Sequence, residues 1–233
     1  MDVLHYDENR QPDFGIREHL LIEGFGYRFV STSRELNQAL SQVKVAAILI
    51  EADTAKEGAL LLGQRLRSVN SVPLFILSSD SSDSSVISAF EIGVDDYLAR
   101  PLTAREIALR IRAVVRRIGK DSETASVERY ALESASLEID RMLHTVLVNG
   151  SPAHLTGTEW CILLYLADAR GVVRNREQIM THCFGYSQDS YDRIIDSHIK
   201  NLRGKLGSTQ WIETIRGFGY RFTFTIHLHS KYT

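Results

Sequence analysis

Two groups of side chains in this sequence have the types and spacing to do chemistry. The first consists of polar residues that close apolar runs: Asp7 and Glu8 after Val3 to Tyr6, Glu51 after Val45 to Ile50, Ser78 after Leu74 to Leu77, and Arg100 in the short run from Asp95 to Pro101. In an open parallel sheet such ends converge in one crevice. Acidic strand ends of this kind suit a Mg²⁺-dependent phosphohydrolase, but that chemistry needs an aspartate nucleophile where the sequence has Glu51. Arg100 is permanently cationic, and its planar fork matches the two oxygens of a carboxylate such as Glu51. The second group lies in Asp192 to Leu206. There Ile195, Ile199, Leu202 and Leu206 recur at helical spacing as an inner stripe, and Arg193, Asp196, Ser197, Lys200, Asn201 and Arg203 fall on the opposite face. Cations mixed with small polar groups reach phosphates and base edges. Between residues 191 and 222 the charge is +3, in a chain whose total is −2. Positive charge is thus concentrated where phosphate contact would need it.

The first group has to be positioned by alternating strands and helices. Val3 to Tyr6 reads as a strand. The pattern of Phe14, Ile16, Leu20, Leu21 and Ile22 reads as a helix closed by Gly24 and Gly26. Tyr27 to Val30 is a second strand, and Ser33 to Val43 a helix opened by a serine cap. The unbroken apolar run Val45 to Ile50 is the mark of a central parallel strand covered on both faces. Further helices are expected at about 58–69, from the serine-rich loop to near Gly93, and from a Thr103 cap to about Ile118. Five such alternations imply right-handed crossovers and an α/β doubly wound five-stranded parallel sheet.

Residues 119–127, GKDSETASV, read as a polar linker. Beyond them, Tyr130 to Leu155 alternates in short strands, with Asn149-Gly150 a hairpin turn. Thr156 and Glu159 form a capping box before a helix whose Trp160, Ile162, Leu163, Tyr165 and Leu166 belong to the core. Asn175 opens the next helix. After the helix at 192–206, the runs WIETI and YRFTF flank Arg216-Gly217-Phe218-Gly219, a tight turn with Arg216 at its tip. A helix followed by such a ribbon is a winged helix, so the second half reads as an α+β winged helix-turn-helix domain.

With 233 residues, 44% of them hydrophobic and 24% charged, the chain can bury two modest cores. The start MDVLHYDENRQ has neither a basic region nor an apolar signal core, and no apolar run approaches a membrane span. A cytoplasmic location is expected. Cys161 and Cys183 make no metal-ligand spacing and read as buried free thiols. No cofactor is expected.

The run DRIIDSHIKNLRGKL, followed by IETIRGFGYRF and preceded by LTGTEWCILLYLADARGVVRNREQI, resembles the winged-helix effector domain of OmpR/PhoB-type response regulators. The strand ends, with SSD and GVDDYLARP, resemble the receiver domain of the same regulators, so the resemblance covers nearly the whole chain. It implies that Arg193, Ser197, Lys200, Asn201 and Arg203 are recognition-helix contacts to double-stranded promoter DNA. It makes Thr214, Arg216 and Tyr220 wing contacts, with Arg216 entering the minor groove. It also implies that Glu91, Asp95, Asp96, Glu106, Arg110 and Arg117 exchange ion pairs across a homodimer, and that the connector GYSQDSY touches RNA polymerase.

The departures from the family pattern are specific. A receiver of this kind places an aspartate after its third strand as phosphoryl acceptor, Mg²⁺ on that aspartate and the acidic pair, and a lysine after the fifth strand. Here Glu51 and Arg100 stand in the aspartate and lysine positions, Asp7 and Glu8 keep the pair, and Ser78 keeps the family's Ser/Thr position. The reading is a degenerate phosphorylation pocket in an atypical member. It would bind DNA as a homodimer without phosphorylation, with a receiver-like dimerisation domain at 1–118 and a DNA-binding domain at 128–233. It is not expected to be an enzyme. Three alternatives stay open: a conventional regulator phosphorylated at Asp53 by a histidine kinase, the phosphohydrolase, and an adaptor whose winged helix no longer binds DNA.

Overall fold

The computed structural model describes residues 1–9, 11–120, 126–132, 134–184 and 192–231, with side chains described at all of these except 117–120, 126, 192 and 226–231. The chain divides into two compact units, Met1–Val115 and Arg116–Thr233.

The first unit alternates β1 (Asp2–Tyr6), α1 (Phe14–Ile22), β2 (Gly26–Val30), α2 (Ser33–Gln42), β3 (Val45–Glu51), α3 (Ala59–Val69), β4 (Leu74–Ser78), α4 (Asp83–Glu91), β5 (Asp96–Ala99) and α5 (Ala104–Lys120). All five strands are parallel, in the order β2-β1-β3-β4-β5. Order follows from burial: β3, at the centre, has Ala47, Ile48, Leu49 and Ile50 fully buried, as a strand covered on both faces requires. Of the apolar residues in α1 only Ile16 and Leu20 are buried, because a short helix lying on a sheet turns one stripe inward; Phe14, Leu21 and Ile22 face outward. The cap of α2 is Thr32 rather than Ser33, its hydroxyl accepting from Glu35 N at 3.2 Å. Thr103 and Glu106 cap α5 reciprocally, Glu106 N donating to Thr103 Oγ1 at 3.2 Å and Thr103 N to Glu106 Oε2 at 2.8 Å.

Within β1, His5 is buried, its Nδ1 2.9 Å from the Tyr27 hydroxyl and its ring edge-on to Tyr27 and Phe29. Burial pushes its pKa down to about 4 from an ordinary 6.5, against the pull of Asp7 and Asp13. Between those two values the unfolded chain binds the proton that the folded chain refuses. Stability contributed by neutral His5 is therefore complete above pH 6.5 and lost as pH falls toward 4, by up to about 3 kcal/mol. Urea midpoints at about pH 7.5 and about pH 5 should show this loss, and His5→Gln should reduce it. An unchanged pH slope in the variant would contradict the assignment.

The second unit holds β6 (Ser126–Leu132), β7 (Ala135–Asp140), β8 (Thr145–Val148), β9 (Ser151–Pro152), α6 (Gly157–Asp168), α7 (Arg176–Phe184), α8 (Asp192–Lys205), a 3-10 turn at Thr209–Trp211, and β10 (Ile212–Ile215), β11 (Gly219–Phe222) and β12 (Ile226–Lys231). Regular structure thus occupies both ends of the segment expected as a linker, since α5 runs to Lys120 and β6 starts at Ser126. The antiparallel sheet has the order β12-β6-β7-β8-β9. Asn149 and Gly150 turn the β8–β9 hairpin at φ 50° and 79°. Thr156 and Glu159 close both halves of the capping box on α6, and Asn175 and Gln178 do the same for α7 at 2.7 and 3.0 Å.

Ile195, Ile199, Leu202 and Leu206 are fully buried and pack α8 inward. Trp160, Ile162, Leu163 and Leu166 of α6 are buried with them. Tyr165, expected in the core, is half-buried and stacks at 4.0 Å on exposed His182 of α7. Strand β12, which the sequence reading did not foresee, pairs antiparallel with β6 from Ser126 to Ala131. Among the described residues, no helix is long and apolar enough to cross a membrane.

Candidate functional site

At the carboxyl ends of the parallel strands the side chains engage one another. Arg100 Nη1 donates to Glu51 Oε1 at 2.6 Å and Arg100 Nη2 to Glu51 Oε2 at 2.9 Å, a planar two-point contact between the ends of β3 and β5. Burial pushes the Glu51 carboxyl above its usual value, against the pull of the guanidinium, while the bond to Glu51 raises the Arg100 pKa. Asp7 Oδ1 accepts from Asn9 N at 2.9 Å and from Thr54 Oγ1 at 2.7 Å. Glu8 Oε1 accepts from the Tyr6 hydroxyl at 2.7 Å.

Asp53 turns toward the end of β4. Its Oδ1 accepts from Ser78 Oγ at 3.0 Å, and its Oδ2 from Ser79 Oγ at 2.7 Å, with Ser79 N 3.1 Å from each oxygen. Slight desolvation works against these bonds, but Ser79, Ser78 and the charge on Arg100 together hold the Asp53 carboxyl below its ordinary value. The loop after β3 is therefore tied to the end of β1 by Thr54 and to the end of β4 by Asp53, while Glu51 ties β3 itself to the end of β5.

These residues do not fit the Mg²⁺ that the family resemblance implies. Both Glu51 oxygens carry guanidinium hydrogens, which puts a fixed cation where a second would have to sit. Among the described residues, no group of three His, Cys, Asp or Glu side chains is arranged to hold a metal.

In the second unit α8 and the β10–β11 hairpin form one surface. Arg193, Lys200 and Arg216 are exposed on it. Asn201 and Arg203 are half-buried and Thr214 is exposed. Ser197 does not lie on the outer face as the helical projection suggested; it is buried, and its hydroxyl donates to the Arg193 carbonyl at 3.1 Å. A projection assigns sides, but a small side chain can turn back onto its own preceding turn.

Tyr220 is likewise buried rather than presented outward. Its hydroxyl donates to Asp196 Oδ1 at 2.6 Å and accepts from Arg176 Nη2 at 3.2 Å, while Arg176 Nε donates to the same Asp196 oxygen at 2.7 Å. Burial, then the bond to Asp196, pushes the Tyr220 phenol up to about 12. Its ring lies under two guanidiniums, with Arg176 at 5.0 Å and Arg203 at 5.7 Å from the centroid. Arg203 also donates from Nε to the Ile212 carbonyl at 2.9 Å and from Nη2 to Thr214 Oγ1 at 2.8 Å. Arg203, Thr214 and Tyr220 thus join the helix to the ribbon.

The ribbon has a third member. Arg174 N donates to the Tyr220 carbonyl at 2.8 Å and Tyr220 N to the Arg174 carbonyl at 2.9 Å. Gly219 permits this approach: a Cβ there would collide with the Arg174 carbonyl.

The six residues expected on a dimer face are placed differently from one another. Asp95 is fully buried; its Oδ2 is bonded to Arg67 Nη2 and accepts from Leu74 N at 2.9 Å, so it is an internal strut and not a surface charge. Asp96 is buried with Arg110 Nη1 3.4 Å from it. Glu91 and Glu106 are exposed, Glu106 serving the α5 cap. The Arg117 side chain and the connector at 185–191 lie outside the described residues.

Sequence reasoning missed Arg176 as the brace to Asp196 and the buried group around Arg141. There Arg141 Nε donates to Glu128 Oε1 at 2.8 Å, its Nη groups bond Asp168, and the Tyr130 hydroxyl bonds Glu128. No local pattern announces pairs that meet only through sheet and helix packing.

Residues 150–222 match a family model described as "Transcriptional regulatory protein, C terminal". The transcriptional regulatory protein CpxR of Klebsiella pneumoniae is 31% identical over 224 residues, covering 94% of this chain and 96% of that protein. The transcriptional regulatory protein SrrA of Staphylococcus aureus is 29% identical over 232 residues, covering 95% of both. A solved structure of a RitR mutant superposes with a TM-score of 0.72 at 21% identity, over 96% of this chain and 99% of that one, a likeness of fold.

Proposed function

The chain belongs to the OmpR/PhoB-type response regulators, a family of transcriptional regulatory proteins, and we propose that it acts as a homodimer that binds specific duplex DNA without being phosphorylated. Residues 128–233 would contact promoter DNA, and residues 1–118 would dimerise through α4, β5 and α5. The DNA part rests on one observation: Arg193, Lys200 and Arg216 are exposed on a helix and a ribbon that Asp196, Arg176, Tyr220 and Arg203 hold as one body. Arg193 and Lys200 would meet phosphates around the major groove, and Arg216 the neighbouring minor groove. Two copies would read half-sites about 10 to 10.5 bp apart. RNA polymerase is the further partner, through the connector after α7. The acidic pocket would have no catalytic role.

Independence from phosphorylation is supported by the Arg100–Glu51 contact, which supplies a charge pair between β3 and β5 without a phosphoryl group. Phosphorylation at Asp53 is the second reading. Against it, both Asp53 oxygens already accept hydrogen bonds from Ser78 and Ser79, and Arg100 is turned to Glu51.

Sedimentation of the purified chain, with and without beryllofluoride and Mg²⁺, tests the proposal together with selection of duplexes from a random pool. A dimer that selects one sequence and sediments alike in both conditions is the expected result. A monomer that dimerises only with beryllofluoride would replace this reading by the Asp53 one.

A further inference from the structure

Phe218 exposes 71% of its surface at the end of the β10–β11 hairpin, the one exposed phenylalanine among the described residues of the second unit. A solitary exposed aromatic is ordinary on a protein surface, but three observations set this one apart.

The tip is a defined turn. Phe218 N donates to the Ile215 carbonyl at 2.9 Å, and Gly217, third of the four residues, has φ 78°, as a type II turn requires. The strand behind it is held on both edges, by β10 on one side and by the backbone of Arg174 on the other, at the close approach that Gly219 allows. Phe218 is therefore presented on an ordered support, and little freedom remains to be lost when it meets a partner. Finally, Arg216 sits two residues away, exposed on the same turn. A guanidinium beside an apolar ring at the end of a projecting ribbon complements a narrow groove with anionic potential and apolar sugar walls.

We propose that Phe218 is an apolar wedge for the DNA minor groove, packing against deoxyribose faces and the edge of a base step next to the site entered by Arg216. The wing contact then has two parts, a charged one set by Arg216 and an apolar one set by Phe218. The inference rests on the DNA-binding reading above.

The test uses the full chain and a duplex that the unmodified chain selects from a random pool. Phe218→Ala should bind that duplex about tenfold more weakly, the loss expected from leaving one phenyl ring in water. Its dependence of log affinity on log salt should stay unchanged, because no phosphate contact is removed, whereas Arg216→Ala should flatten that dependence by about one unit. Phe218→Leu should restore most of the affinity, and energy transfer between labelled duplex ends should report a smaller bend with Phe218→Ala. Affinity of Phe218→Ala within twofold of the unmodified chain overturns the proposal while leaving DNA binding in place. So does a variant with full duplex affinity that is impaired only in recruiting RNA polymerase, which would make Phe218 a protein contact. If the unmodified chain selects no duplex, the DNA-binding reading fails and this one with it.

Discussion

Replacing Arg141 by alanine is expected to destabilise the second unit by about 3 to 5 kcal/mol, the cost of stranding a buried carboxylate. Arg141 and Glu128 are each almost wholly enclosed, with side chains 8% and 9% exposed, and the Arg141 fork ties β6 and β7 to the end of α6 through Glu128 and Asp168. Removing the cation takes away the guanidinium that faces the buried Glu128 carboxylate, on which the Tyr130 hydroxyl also bears. The Asp168 half of the contact is half in water and contributes little. The double replacement Arg141→Met with Glu128→Leu should therefore recover most of the lost stability, since it removes the charge and its partner together. Urea unfolding followed by tryptophan fluorescence checks both variants. A single variant as stable as the parent, or a double variant worse than the single, would show that the pair is not what holds the sheet to the helix.

Replacing Lys200 and Arg216 together by alanine is expected to weaken binding to a selected duplex by about 100-fold at physiological salt, through the loss of one cation directed at a phosphate and one directed into the minor groove. The two residues lie on different elements, α8 and the hairpin turn, and both are exposed. The slope of log affinity against log salt should fall by about two. Sedimentation should match that of the parent, because neither residue is in the first unit. Equal retention of parent and variant on the duplex would remove the surface from consideration as a DNA contact.

The alternation of strands and helices was legible because each depends on local signals: an unbroken apolar run for β3, a capping box at Thr156, an Asn-Gly turn at 149 and 150. The inner stripe of α8 was equally legible from spacing. Side-chain direction was not. Ser197 folds back onto the Arg193 carbonyl, and Tyr220 is drawn under two arginines by a carboxylate 24 residues away. Asp95 looked like a surface charge and is an internal one, because its partner Arg67 lies on α3, 28 residues earlier. Strand β12 was missed although Ile226, His227, Leu228 and His229 alternate, since the run has no turn signal ahead of it to mark it as the return of a sheet edge. Contacts distant in sequence and dependent on packing are what composition and periodicity leave out.

The brace made by Asp196, Arg176 and Tyr220, with Arg203 across the ribbon, has a mechanical consequence. Helix and hairpin behave as the two jaws of a caliper whose opening is set before any nucleic acid arrives. If the surface docks on a duplex as proposed, such a caliper would not adjust to it; the base-pair steps between the jaws would have to twist or compress to match, and stiff sequences would resist. Discrimination would then extend to steps that no side chain touches.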